Sequence, residues 1–368
     1  MANKWMNQLR KIEGAVVEEY DPYAHVVRTP SPSTNFLFGR THGLPFGYSL
    51  LLWGPPGAGK SLLSNATVGQ LHSEDPEAIV VRYDTEFRDE GQMTAETARA
   101  YKVDLDRYMP YAVNHPTLVF DNLVDKIGPM LEAGAPIRLV IIDSITGIQG
   151  RRESGSSIEQ HNIGDHAHTV QIGLKKILPL QRKHKFALIV TAHARAEMDM
   201  WEQKRGNKTK AAVSFGVQHH CEYFLNVERD KTKKGRSDEL GRDFIDTSHK
   251  DLTDSADETG HKIKVWMQKS SVGPANRQGA FTVDYKNGII NQHEEVFNLG
   301  VKWGIIGHPT MTTYTINEEK FVGKPACLAA LEKKPDLQRL ILARLLEAEK
   351  GQRIPAVTDE EVVAEEEV

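Results

Sequence analysis

Apolar residues along this chain fall into short runs separated by polar stretches. Four of them, YSLLLW (48–53), AIVVRY (78–83), RLVIIDS (138–144) and FALIVTAH (186–193), have the length and apolar continuity of buried strands. Between them lie KSLLSNATVGQLH, LVFDNLVDKIGPMLEAG and HAHTVQIGLKKILPLQRKH, which read as helices. Continuous apolar strands alternating with helices predict an α/β fold, a mostly parallel sheet covered on both faces. Two later runs, CEYFLNVERD and HKIKVWMQ, read as further strands. The highly charged stretch between them, Asp230 to Gly260, reads as a mobile surface excursion because it has little to bury. After Gly288 the pattern changes, and EEVFNLGVKWGIIG, a hairpin around TTYTINEEKF and a helix in KPDLQRLILARLLEAEK predict a small α+β domain. At the other end Trp5, Leu9 and Ile12 share one helical face, with Met6 beside them. A proline-bearing linker follows, so that face has two candidate partners, another subunit or its own core. The division predicted is an N-terminal helix and linker over 1–33, a core over 34–290, a small domain over 291–350 and an acidic tail over 351–368.

Composition narrows the class without deciding it. With 39 % hydrophobic and 26 % charged residues in 368, the chain reads as an ordinary soluble protein. No apolar run approaches the ~20 residues of a membrane span, and MANKWMNQLRK lacks the apolar centre of a signal peptide. Two cysteines, Cys221 and Cys327, in no metal-ligand spacing suit a reducing cytoplasm. The net charge of −4 includes six acids in TDEEVVAEEEV, without which the remainder carries +2. That block reads as a disordered tail, either simply solvated or competing with DNA for a basic surface.

The sharpest chemical signal follows the first strand. GPPGAGKS, Gly54 to Ser61, is G-x-x-x-x-G-K-[ST] between a strand and a helix, the context a phosphate-binding loop requires. Its glycines let backbone N–H groups face phosphates, Lys60 reaches the β- and γ-phosphates, and the Ser61 hydroxyl ligates Mg²⁺. Asp143, ending RLVIID, suits the carboxylate that holds the hydrated metal, or else a cap on the next helix. YDTEF offers Asp84 and Glu86 at another strand end, where Glu86 could orient water as a general base or merely cap a turn.

Taken in order, these elements resemble the RecA-type recombinases, and in particular their phage UvsX branch. VVRTPSPSTNFLFG…GLPFGYSLLLWGPPGAGKS, YDTEF, VIIDSITGI, IVTAH and the segment from VFNLGVKWGIIG to LILARLL are each similar to a family element, in family order. The resemblance implies a RecA-like P-loop ATPase core with a short N-terminal helix and a small C-terminal domain. It assigns ATP and Mg²⁺ contacts to Gly54, Pro55, Pro56, Gly57, Ala58, Gly59, Lys60, Ser61, Leu62, Asp143 and Ser144, with Ser61 and Asp143 on the metal. Glu86 inherits the role of catalytic glutamate. His193 stands where RecA has a glutamine that senses the γ-phosphate. Of two basic residues that the family lends from a neighbouring subunit, only Lys269 matches; the companion position falls on Met267 or Ser271, with Arg277 a nearby substitute. The adenine-stacking residue has no match, because RDEGQMTAETARAY carries an apparent insertion.

The resemblance also places two DNA-binding loops, near 150–163 and 195–213. The first carries Arg151 and Arg152 among small polar residues, suited to backbone phosphates. The second carries Arg195, Lys204, Arg205, Lys208 and Lys210 against three acids, with Trp201 either stacked on a base or packed at the loop base. His161, His166 and His168, like His219–Glu222, lack partners at metal-ligand spacing and read as structural. The function implied is a DNA-dependent ATPase that forms helical filaments on single-stranded DNA, with ATP between subunits, and exchanges strands with homologous duplex DNA. Single-strand-binding and loader proteins are implied partners, and host cytoplasm the location if a phage encodes it. The competing readings are a hexameric helicase on the same core and an ATP-binding filament or mediator protein with weak turnover.

Overall fold

The computed structural model describes residues 2–12, 21, 24–88, 93–151, 164–204, 209–246 and 257–351. Among these, ten strands form the main sheet: β1 (Ser49–Gly54), β2 (Ile79–Asp84), β3 (Tyr108–Ala112), β4 (Ile137–Asp143), β5 (Ala187–Ala196), β6 (Thr209–Ala211), β7 (Tyr223–Arg229), β8 (Gly260–Ser270), β9 (Arg277–Asp284) and β10 (Gly288–Ile290). Their order is β10-β9-β8-β7-β1-β5-β4-β2-β3, with β6 pairing β5 off this path. From β7 to β3 neighbours run parallel, while β8, β9 and β10 extend the sheet antiparallel. This is the mostly parallel α/β sheet that the alternating pattern predicted, consistent with the RecA-like core that the resemblance implied.

Side chains alternate across a strand, so neighbouring apolar residues serve different cores. Leu50, Leu52, Val80, Ile141 and Ile189 face one side, packed with Leu63 and Leu71 of helix α1 (Lys60–Glu74). Leu51, Trp53, Val81, Ile142 and Val190 face the other, packed with Leu174 and Ile177 of helix α2 (Asp165–His184). The predicted helix LVFDNLVDKIGPMLEAG forms as two π-helical turns, Thr117–Asp121 and Leu123–Ile127, before an α-helical end at Gly128–Glu132. Four strands of the main sheet, β3, β6, β9 and β10, escape the sequence pattern. β3 lies at the sheet edge, where its Pro110 lacks no needed ladder bond and most of its side chains are not buried. β9 extends the antiparallel end, where only Phe281, Thr282 and Val283 are buried and apolar runs are broken.

Beyond β10 a third core gathers Val296, Phe297, Ile306, Cys327, Leu331, Ile341 and Leu345. Its elements are helix α3 (Gln292–Lys302), the antiparallel strands β11 (Gly307–Thr310), β12 (Thr313–Ile316) and β13 (Glu319–Val322), and helices α4 (Lys324–Lys333) and α5 (Pro335–Glu349). The α4–α5 break falls at Lys334, because the residue before a proline is pushed out of helical geometry. Phe36, from the segment leading into the main sheet, inserts into this third core. Arg277 stacks on Phe36 and Trp303 and pairs with Glu349, so it serves to hold the C-terminal helix rather than to reach a phosphate.

The charged stretch after Asp230 departs from its reading as a mobile excursion. Glu239 pairs with Lys262 of β8 at 2.9 Å and with Lys324 of α4 at 2.6 Å, while its amide donates to Glu294. Burial alone would raise the Glu239 pKa, but the two lysines outweigh it and hold the carboxyl down to about 2. Polar residues thus anchor what apolar ones could not; residues 247–256 of this stretch lie outside the described set. At the N-terminus the helix Ala2–Leu9 leaves Trp5, Met6 and Leu9 exposed, and Ile12 just beyond it likewise, so among the described residues the apolar face has no intramolecular partner.

Glu295 is a titratable contact beneath the third core. Its Oε2 accepts from Ser31 Oγ at 2.6 Å and from the Ser33 amide at 2.9 Å. Complete burial pushes its pKa up to about 8 despite these donors. A carboxyl raised on folding favours the folded chain below its unfolded pKa, and that advantage drains away as pH rises toward 8. Glu295→Gln should therefore flatten the loss of stability between pH 5 and 8 by roughly 1 kcal/mol per pH unit. Urea midpoints across that range measure it, and parallel wild-type and variant curves would refute it.

Candidate active site and adjoining hairpin

Parallel register decides what meets at the carboxyl edge of the sheet. Gly54 of β1 lies opposite His193 of β5, and Asp84 of β2 lies opposite Asp143 of β4. Since β4 and β5 are neighbours, these strand ends converge on one edge, the usual ligand edge of an open α/β sheet.

The loop from Gly54 to Ser61 joins β1 to α1. A Cβ on Gly54 would stand 2.1 Å from the Val227 carbonyl oxygen. Gly59 has φ +97°, and a Cβ there would stand 2.5 Å from Ile263 Cδ1. Glycine is required at both, and the tight turn leads straight into the N-terminus of α1, the anion-favouring end of a helix. Pro56 and Gly57 are exposed, Ala58 is buried and Leu62 leans on the core. Lys60 is buried, its Nζ donating to the carbonyls of Gly54 at 2.9 Å and Pro55 at 3.0 Å. Burial pulls the amine's pKa down, while Asp143 and Glu86 oppose that shift.

Asp143 is buried beside the loop and fully ligated. Oδ2 accepts from Ser61 Oγ at 2.8 Å and pairs with the Arg82 guanidinium; Oδ1 accepts from Thr191 Oγ1. Burial raises its pKa, but Arg82's charge and the two hydroxyls outweigh burial and leave the carboxyl below its usual range. The Ser61 hydroxyl and Asp143 carboxylate are hard oxygen donors side by side next to a phosphate cradle, a donor set that fits Mg²⁺. Arg82 and Thr191 were missed as site residues. The signal for Arg82 was present, since a charge inside AIVVRYD, a buried strand, needs a buried partner.

Glu86 and His193 stand together, with His193 Nε2 2.7 Å from Glu86 Oε1. The same oxygen accepts from Ser144 Oγ, and Arg88 holds Oε2. Ser144 therefore turns to Glu86 and Thr146. Asp84, also considered as an acid, accepts from the Glu86 amide at 3.1 Å and is buried, which raises its pKa. Its place is under Glu86.

The segment after His193 is not simply a loop. β5 continues through Arg195 and Ala196 and pairs with β6, Ala194 opposite Ala211 and Ala196 opposite Thr209. The Ala212 amide donates to the His193 carbonyl at 2.8 Å. A short helix, Met200–Lys204, follows at the tip. Trp201 is 73 % exposed with Lys204 Nζ 5.1 Å above its ring, so it does not pack at the loop base; Met198, Met200 and Phe215 are exposed as well. Lys210 pairs with the buried Glu197 at 2.6 Å. Arg195 lines a cavity at the hairpin base with Ile145, His166 and Val213. Arg151 is exposed where β4's exit leaves the described chain, its amide bonded to Thr169. Arg152, Arg205 and Lys208 lie outside the described residues, as do His161 and the acidic tail.

Lys269 stands apart from this edge. It lies opposite Phe224, which lies opposite Leu51 near the middle of β1, and its Nζ caps the carbonyls of Gln218 at 2.9 Å and Cys221 at 2.7 Å. Of the companion positions, Met267 is buried in the core and Ser271 is bonded to the Glu222 carbonyl.

No family model matches the chain. It is similar to Protein RecA of Mycoplasma genitalium, 21 % identical over 296 residues, 80 % of this chain and 77 % of the relative. It is also similar to Protein RecA of Oleidesulfovibrio alaskensis, 21 % over 343 residues covering 93 % and 88 %. Protein RecA of Sulfurovum sp. matches at 22 % over 333 residues, 90 % and 85 %. Matches running through most of both chains support the RecA-type family.

Removing one member of a buried ion pair strands the other. Arg82→Met should destabilise the protein by about 3–5 kcal/mol, and adding Asp143→Asn should recover much of that loss. A double-mutant cycle by urea unfolding tests this; additive losses would mean that the two side chains act independently.

Proposed function

We propose that the protein is an ATP-dependent DNA recombinase of the RecA type, in its phage UvsX-like branch. The observation that carries this reading is the convergence of the Gly54–Ser61 loop, Asp143, Glu86 and His193 on one sheet edge, with a hairpin growing directly out of the His193 strand. The similarity to several RecA proteins over most of the chain supports it. ATP is the substrate, held by the loop amides and by Lys60 once its Nζ leaves the loop carbonyls. Ser61 and Asp143 would hold Mg²⁺, which neutralises the β- and γ-oxygens when bound. Glu86 takes a proton from the water that attacks the γ-phosphorus, the bond to the ADP oxygen breaks, and ADP and phosphate leave.

His193 is the junction between this chemistry and DNA. A terminal phosphate would compete for the imidazole that now meets Glu86, and any shift of His193 passes into β5 and its partner β6. Arg151, Arg195, Lys204 and Lys210, with Arg152, Arg205 and Lys208, supply positive charge for single-stranded DNA and the homologous duplex, and Trp201 offers an exposed ring for stacking. The exposed face of the N-terminal helix is read as the contact with the next subunit of a helical filament. Lys269 is read as the residue lent to a neighbour's phosphate. Single-strand-binding and loader proteins are the expected partners, in the cytoplasm.

Electron microscopy and ATPase assays with and without single-stranded DNA test the whole reading. Open helical filaments and DNA-stimulated hydrolysis are expected; closed rings that unwind forked duplex would make the protein a helicase instead. Glu86→Gln should retain ATP and DNA binding and lose at least ten-fold in turnover, and undiminished turnover would remove Glu86 from the chemistry. Replacing Lys204, Arg205, Lys208 and Lys210 should flatten the salt dependence of DNA binding, by about one unit of slope for each phosphate no longer neutralised.

A further inference from the structure

Arg88 has no part in the roles above, yet it completes the ligation of Glu86. Its Nη2 lies 2.5 Å from Glu86 Oε2, the oxygen opposite the one that meets His193 and Ser144. His193 and Ser144 take up Oε1, so a water must be met at Oε2, where Arg88 now sits. The three holders differ in how firmly they are placed. Ser144 is buried and His193 is half-buried, whereas the Arg88 side chain is 59 % exposed. An exposed ion pair contributes little to stability, so Arg88 is the partner most easily withdrawn.

The backbone aims it. Phe87, between the two partners, has φ +53°, a left-handed conformation uncommon for a non-glycine residue. On the far side of this turn the Arg88 guanidinium meets Glu86. From there its charge is felt at both Lys60 and Asp143. Glu86 meets His193, which lies opposite Gly54 at the start of the loop, so the Arg88–Glu86 pair sits beside the phosphate loop of the same subunit. A guanidinium fork prefers the paired oxygens of a phosphate, and a terminal phosphate carries more charge than one carboxylate.

We propose that Arg88 is an exchangeable catalytic cation. It latches Glu86 until the γ-phosphate of ATP competes for its guanidinium, and then moves to that phosphate. The exchange stabilises charge on the transferring phosphoryl group and frees Glu86 Oε2 to accept the proton of the attacking water. ADP, lacking the γ-phosphate, leaves the latch closed. This rests on the reading of Glu86 as general base, and it supplies from the chain itself a positive charge that Met267 and Ser271 cannot lend.

The test uses the full chain with single-stranded DNA and compares wild type, Arg88→Ala, Arg88→Lys and Glu86→Gln. Arg88→Ala should lower kcat at least ten-fold and weaken a non-hydrolysable ATP analogue about ten-fold, with ADP affinity within two-fold of wild type. Arg88→Lys should recover part of both losses. Unchanged turnover and an unchanged ratio of analogue to ADP affinity would overturn the proposal. Equal weakening of analogue and ADP would also overturn it, by showing that Arg88 only shapes the site. Failure of the underlying reading looks different, because Glu86→Gln would then turn over ATP as fast as wild type.

Discussion

A charged carboxylate can stand at the buried end of a central strand only if enough donors meet it there. Asp143 meets Ser61 from α1, Arg82 from β2 and Thr191 from β5, and the arrangement depends on all three elements at once. A one-residue slip of β2 or β5 would turn Arg82 or Thr191 to the opposite face of the sheet and leave the charge uncompensated. The same strands carry Glu86, two residues past the end of β2, and His193, two residues after Thr191 within β5. Satisfying Asp143 therefore also fixes where Glu86 and His193 stand, and specificity of register and geometry of the site become one requirement.

Much of this was legible in the chain. The four apolar runs became the parallel centre of the sheet, because strands buried on both faces have no reason to interrupt their apolar content. The phosphate loop was legible because it needs glycine at Gly54 and Gly59 for steric reasons that no other residue meets. Legibility failed where strands are half-solvated, as at β3 and β9, and where polar atoms do the anchoring, as with Glu239 and its two lysines. The contacts of Glu86 with His193, Ser144 and Arg88 join residues up to 107 positions apart, and no local pattern signals such a meeting. Only Arg82 announced itself, as a charge in an otherwise apolar strand.

The third core leans on the main one through contacts of a different kind. Phe36 supplies apolar contact, but Arg277, Glu239 and Glu295 supply ion pairs and hydrogen bonds that are specific in geometry and modest in energy. An interface built this way fixes orientation more than it adds strength. Glu295, neutral across much of the ordinary pH range, is in addition a place where folding takes up a proton.

The continuation of β5 past His193 turns a strand end into an arm. Two hydrogen-bonded strands bend as one ribbon, so a tilt imposed at the base reappears at the tip multiplied by length. From His193 to Ala196 the arm is about 10 Å at ~3.3 Å per residue, so a tilt of about 10° sweeps its end by about 2 Å. A tilt of the pair at His193 would thus be a displacement on the scale of an atomic diameter at Ala196.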